Sequence, residues 1–159
     1  MSRPEPTPED IIHLELESGR VTIQTRPDLA PNHVARIKEL ARQGFYDGIV
    51  FHRVIDGFMA QTGDPTGTGT GGSGQNLAAE FNKEPHVRGT CSMARAQSPN
   101  SADSQFFICF DDARFLDGQY TVWGQVIEGM ELVDKIKRGE PVQNPDKIVS
   151  MKVAADEAA

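Results

Sequence analysis

The stretch Phe51-His52-Arg53-Val54-Ile55-Asp56-Gly57-Phe58-Met59-Ala60-Gln61 sets one arginine among large apolar side chains and ends on a glutamine. An arginine stays charged at any ordinary pH and presents five N–H donors in a fixed plane, but it cannot accept a proton. Beside an apolar pocket such a group suits the stabilisation of a shape or of a polarised bond. It does not suit acid–base work. Ser104-Gln105-Phe106-Phe107-Ile108-Cys109-Phe110 supplies more of the same chemistry, a glutamine next to aromatic rings. Asp56-Gly57 is a hairpin signal. A short turn there sets Arg53 opposite Ala60 or Gln61, and the period-two rule puts Met59 with Gln61, and Gln105 with Phe107, on shared faces. Arg53, Met59, Gln61, Gln105 and Phe107 are therefore expected on one outer patch of a β structure. Ordinary core and surface positions would account for any one of them. The ordered set points instead to a site for a proline-containing peptide.

Other chemistry fares less well. Gly67-Thr68-Gly69-Thr70-Gly71-Gly72 fits G-x-G-x-x-G, a weak pattern alone. A dinucleotide site needs a helix opening at the third glycine, so that its N-terminus faces the pyrophosphate. Ser73-Gly74-Gln75-Asn76 opens no helix, and no Gly-Lys-Ser/Thr is present for a phosphate loop. The stretch is expected to be a mobile surface loop whose backbone lines a groove. His13, His33, His52 and His86 lack metal-site spacing. His13 is expected to face solvent, His33 to sit early in a helix, and His52 to be a buried, hydrogen-bonded neighbour of Arg53 in preference to a catalytic base. Ser73 lies in no nucleophile elbow. Cys91 and Cys109 fit no zinc pattern; their number allows a disulfide, but two buried thiols is the favoured reading.

The elements that must position these residues follow from pattern. At 159 residues, 38% hydrophobic and 25% charged, the chain has the length and balance of one globular domain. Its net charge of −7 argues against nucleic acid and against an anionic membrane surface. Residues 1–9 are rich in proline and acids and read as a flexible arm, residues 10–154 as the single domain, and residues 155–159 as a frayed tail. No apolar run opens the chain, so no secretory leader is expected and a cytoplasmic setting is. Ile12, Leu14 and Leu16 alternate with His13, Glu15 and Glu17, a strand that turns at Ser18-Gly19 into Val21–Thr25. A helix fits Pro31 to Gln43, with Val34, Ile37 and Ala41 on one face and Gly44 as its stop. Strands are expected around Phe51–Ile55, Met59–Gln61, Gly89–Arg95, Gln105–Phe110, Thr121–Val126 and Lys147–Val153, with a second helix over Met130–Arg138. Many short strands with only two helices predict an all-β, mainly β barrel.

At this point a resemblance enters. Phe51-His52-Arg53-Val54, Gly57-Phe58-Met59-Ala60-Gln61, Gly63-Asp64, Gly89-Thr90-Cys91-Ser92-Met93-Ala94, Pro99-Asn100-Ser101, Ser104-Gln105-Phe106-Phe107-Ile108, Phe115-Leu116-Asp117-Gly118 and Val122-Trp123-Gly124-Gln125-Val126 occur in this order. The chain from about residue 10 to 154 resembles a cyclophilin-type peptidyl-prolyl cis–trans isomerase, and its short route from Gly74 to Gly89 is similar to compact prokaryotic members. The resemblance implies a closed eight-stranded antiparallel barrel capped by two helices. It implies Arg53 as the catalytic arginine, with Phe58 and Gln61 beside it. Phe58, Met59, Phe107 and Leu116 would form the proline pocket, with Phe115 at its edge. Gln61 and Gln105 would hydrogen-bond around the substrate, and the backbone of Ala94-Arg95-Ala96 would pair with it. Gly69 and Thr70 would border a neighbouring pocket. No metal or cofactor is implied.

Members often carry tryptophan at Phe115, asparagine at Arg95 and histidine at Tyr120, which stands in the substrate-binding set. The asparagine acts mainly through its backbone, so Arg95 need not harm turnover. Phe115 lacks an indole N–H, which implies weaker cyclosporin binding with peptide turnover largely kept. The implied partners are proline-containing peptides and unfolded or folding protein clients, met by a monomer. The runner-up reading is a proline-peptide binding module or chaperone with incidental turnover. Arg53 discriminates, because a pure binder needs the pocket but not the arginine.

Overall fold

The computed structural model describes residues 7–157. The arm expected over residues 1–9 and the tail over 155–159 fall partly outside them. Where they fall inside, residues 8–10 form a 3-10 turn and Ala154–Glu157 a short helix, α3. The tail is tied back: His13 Nδ1 lies 2.6 Å from Glu157 Oε1, and Arg42 Nε donates to Asp156 at 2.9 Å.

Eight strands appear where alternation and turn residues placed them. They are β1 Ile11–Leu16, β2 Gly19–Thr25, β3 Arg53–Ile55, β4 Met59–Thr62, β5 Thr90–Met93, β6 Phe106–Cys109, β7 Val122–Glu128 and β8 Ile148–Val153. All pair antiparallel in one sheet of order β3-β4-β6-β5-β7-β2-β1-β8. Helix α1, Pro31–Arg42, buries His33, Val34, Ile37, Leu40 and Ala41, adding His33 and Leu40 to the expected face of Val34, Ile37 and Ala41.

Two expectations need correction. The barrel is not closed by a ladder: the sheet is curled but open between β3 and β8. The chain ahead of β3 runs past the start of β8, with Ile148 N donating to Ile49 O and Phe51 N donating to Asp146 O at 2.8 and 2.9 Å. Only the isolated bridge Val50–Lys147 forms there. Pro145 offers no N–H, and Asn144 sits at φ 48, so the approach to β8 cannot continue as a strand. The second helix is also shorter than Met130–Arg138. Helix α2 covers Met130–Val133, and the chain then tightens into i→i+3 bonds at Lys135 and Ile136. Gly139 lies close enough behind to pull the chain out of the helix and onto Val54.

The inner face of the sheet is dry. Trp123, Phe106, Phe51, Tyr46, Ile12, Leu14 and Ile23 are fully buried there, with Phe106 and Trp123 edge to face at 5.4 Å. A smaller cluster, Met59, Phe107, Cys109 and Ala113, lies apart from it. Both cysteines are free and buried. Burial pushes the Cys109 thiol up to about 12.

Candidate active site

Register builds the site. Arg53 on β3 pairs with Gln61 on β4, Gln61 with Phe107 on β6, and Phe107 with Ser92 on β5. Residues opposite one another in adjacent strands share a face, so these four form one row across the sheet. The next row, Ile55, Met59 and Cys109, supplies the apolar floor beside it. The Asp56-Gly57 turn therefore delivers Arg53 opposite Gln61, one of the two partners that the hairpin spacing left open.

A cavity of about 130 Å³ opens over this floor. It collects Arg53, Phe58, Met59, Gln61, Ala94, Arg95, Phe107, Leu116 and Tyr120, from five separate parts of the chain. Tyr120 meets Phe107 edge to face at 5.9 Å. Phe115 does not line the cavity: it is 68% exposed and leans on Phe58 at 5.6 Å between ring centres. A second cavity of about 590 Å³ adjoins the first along Gln61, Ala94 and Arg95 and takes in Gly69, Thr70, Ala96 and Gln105. Every residue singled out for the site thus lies in one of two contiguous cavities, except Phe115 on the rim.

A directed hydrogen-bond chain links the two. Arg53 Nη1 donates to Gln61 Oε1 at 3.2 Å, and Gln61 Nε2 donates to Gln105 Oε1 at 2.9 Å. Gln105 Nε2 then donates to the carbonyls of Gly69 and Gly71 at 3.0 and 2.9 Å. Each glutamine accepts with its oxygen and donates with its nitrogen, so the arginine fixes the orientation of both amides.

The glycine-rich loop, expected to be mobile, is tied by hydrogen bonds to two carboxylates. Asp64 accepts from the N–H groups of Thr66, Thr68 and Gly69 at 2.8, 3.1 and 2.6 Å. Burial alone would raise the Asp64 pKa, but the backbone and hydroxyl donors of Thr66 and the N–H groups of Gly71 and Gly69 hold it well below the carboxylate range. Asp103 accepts from Ser73 N and Gly74 N at 2.9 and 3.0 Å. A Cβ on Gly72 would stand 2.5 Å from Asp103 Oδ2, so the glycine is what lets the loop close on its clasp.

Arg95 uses its donors on the carbonyls of Gln119, Ala96 and Gln97 and lies over Tyr120 at 4.8 Å. It braces the cavity wall through cation–π contact and backbone bonds. His52 is buried as expected, but neither ring nitrogen has a hydrogen-bond partner among the described residues. His13 is only partly exposed, through its contact with Glu157.

Three residues escaped the sequence reading. His86 is fully buried behind the pocket floor, its ring stacked on Phe107 at 6.2 Å. Its nitrogens bridge Ser92 Oγ at 2.9 Å and Asp117 Oδ1 at 3.0 Å, tying the floor to the wall that carries Leu116. Glu140 reaches Arg53 from the loop before β8. No local pattern marks His86 or Glu140, and the motif that contains Asp117 gives it no role, because their partners are distant in sequence.

A model of the cyclophilin type peptidyl-prolyl cis-trans isomerase/CLD family matches residues 11–153. The chain belongs to this family. A probable peptidyl-prolyl cis-trans isomerase of Brucella abortus is 55% identical over 94% of this chain and 85% of its own length. A peptidyl-prolyl cis-trans isomerase of Synechococcus elongatus is 46% identical over 91% of this chain and 97% of its own. The crystal structure of cyclophilin AquaCyp293 from Hirschia baltica superposes with TM-score 0.88 at 32% identity, over 96% of this chain and 77% of that one. A cyclophilin type isomerase of Cryptosporidium parvum, crystallised in the presence of the dipeptide Ala-Pro, gives TM-score 0.83 at 28% identity, over 90% and 98% of the two chains. The chain is a peptidyl-prolyl cis-trans isomerase of mainly β architecture. Among its described residues no helix is long and apolar enough to cross a membrane.

Proposed function

We propose that this cyclophilin turns Xaa-Pro bonds of unfolded or folding protein clients by stabilising the twisted amide with Arg53, residues 10–154 acting as one domain. The observation that carries the reading is Arg53 lining one cavity of about 130 Å³ together with the apolar side chains of Phe58, Met59, Phe107 and Leu116. Amide resonance sets a barrier of ~18–20 kcal/mol. Unaided, the bond turns in tens to hundreds of seconds. At the twisted geometry resonance is lost, the prolyl nitrogen pyramidalises, and its lone pair becomes a hydrogen-bond acceptor. Arg53 donates to that lone pair only then, so the interaction is made in the transition state and not in the ground state.

Phe58, Met59, Phe107 and Leu116 grip the ring while the carbonyl side rotates. The same apolar walls exclude water and favour the less polar twisted state. Gln61 and Gln105 hold the peptide backbone, and the edge at Ala94-Arg95-Ala96 pairs with it. Gly69 and Thr70 border the room for the residue preceding the ring. The Ala-Pro dipeptide used with the Cryptosporidium relative supports a proline-containing ligand here.

Exchange NMR of a short Xaa-Pro peptide tests the reading. Wild type is expected to accelerate exchange, and Arg53→Ala to lose roughly 10²–10³-fold in rate while still binding peptide. Binding without acceleration by wild type would make the protein a binding module on an isomerase fold.

A further inference from the structure

Arg53 has a second anchor, outside every motif that identified the site. Its Nε donates to Glu140 Oε2 at 2.5 Å, across 87 positions of sequence. The backbone that delivers Glu140 is fixed. Gly139 exchanges two hydrogen bonds with Val54, the residue after Arg53, each of 2.8 Å. Gly139 stands at φ 151, and a Cβ there would lie 2.7 Å from the Pro141 carbonyl oxygen and 2.8 Å from Val142 Cα. A side chain would break that bridge, so glycine is required to set Glu140 beside β3.

We propose that Glu140 is a positioning residue for Arg53, holding the guanidinium by its Nε edge so that its terminal N–H groups meet the prolyl nitrogen. This rests on the catalytic reading of Arg53 given above. Gln61 takes one Nη1 hydrogen at 3.2 Å and Glu140 takes the Nε hydrogen. Two acceptors at different edges of a rigid plane fix its rotation, and Nη2 has no acceptor among the described residues. The side chains of Arg53 and Glu140 are 39% and 58% exposed, so the pair adds little to folding stability. Its effect lies in orientation. An unanchored arginine samples many rotamers, and ordering it during the reaction would slow the step. The pair therefore acts on kcat, and a neutral acceptor of the same shape serves nearly as well as the carboxylate.

The test measures kcat and KM by exchange NMR over a range of Xaa-Pro peptide concentrations, together with the ¹⁵N signal and water exchange of Arg53 Nε–H. Glu140→Ala is expected to lower kcat roughly three- to fivefold with KM and melting temperature unchanged, and to speed Nε–H exchange. Glu140→Gln is expected to recover most of both losses. Unchanged kcat and Nε–H exchange in Glu140→Ala overturns the proposal. A rise in KM alone also overturns it, since Glu140 would then touch substrate. Arg53→Ala in the same assay separates the two readings. If it turns over like wild type, the catalytic role of Arg53 falls; if it is inactive while Glu140→Ala is unimpaired, only the positioning role falls.

Discussion

Phe106 and Phe107 are neighbours on β6, yet they face different worlds. Phe106 points into the dry interior against Trp123 and Tyr46. Phe107 points outward onto the cavity floor, against Tyr120 and the buried His86 ring. The inner layer is apolar and close-packed. The outer layer is a thin apolar sheet backed by hydrogen-bonded polar groups and left open for a ligand. One strand thus serves stability on one face and recognition on the other, and the pleat keeps the two apart.

The sharpest way to break this comparison is to truncate both rings. Phe106→Ala is expected to cost about 3–5 kcal/mol in urea unfolding, from lost transfer energy and a sealed cavity. Its turnover per folded molecule should stay near wild type. Phe107→Ala should cost roughly half as much stability, because water and the existing pocket take up the space, but it should lower kcat/KM strongly. Equal stability losses with equal loss of turnover would mean that the two faces are one packing unit.

The layers should also part company with pH. His86 and His52 are held below their ordinary value near 6.5. Burial is the main cause for each; Asp117 opposes it at His86, while at His52 Asp64 opposes it and Arg53 adds to it. The unfolded chain takes up these protons more readily, so stability should fall as pH drops below about 6.5. Asp64, Asp117 and Glu80 are pushed up by burial but pulled further down by hydrogen bonds. Their stabilisation is complete well above about pH 4.5 and is lost on further acidification. Unfolding free energies from pH 8 to 3 should show a shallow limb and then a steep one, with His86→Gln flattening the shallow part. Constant stability between pH 7 and 5 would contradict a floor that rests on neutral histidine.

The smallest effect is expected at the rim. Phe115→Trp adds an indole N–H at an exposed position and should tighten cyclosporin roughly tenfold, the worth of one hydrogen bond, with peptide turnover nearly unchanged. Equal affinity in both forms, or turnover that needs the tryptophan, would remove the special place of this position.

The strands and α1 were legible because alternation, turn residues and the proline–glycine punctuation are local signals. Arg53, Gln61 and Phe107 were legible as a row for the same reason: a tight hairpin and period two fix the faces. The second helix misled because its composition suits a helix through Arg138, while Gly139 pairs with Val54 and draws the chain away. The ties of the glycine loop were not legible. Its residues predict mobility, but the clasping Asp103 lies about thirty positions away in sequence from Ser73.

The sequence by itself therefore determined the family, the eight strands and the residue types of the pocket, since each depends on spacing within a few residues. The tertiary structure decided that the sheet stays open beside β8, that Phe115 stands outside the cavity, and that His86, Asp117 and Glu140 support it. Those outcomes depend on which distant segments the curl of the sheet brings into contact, and no local pattern carries that information.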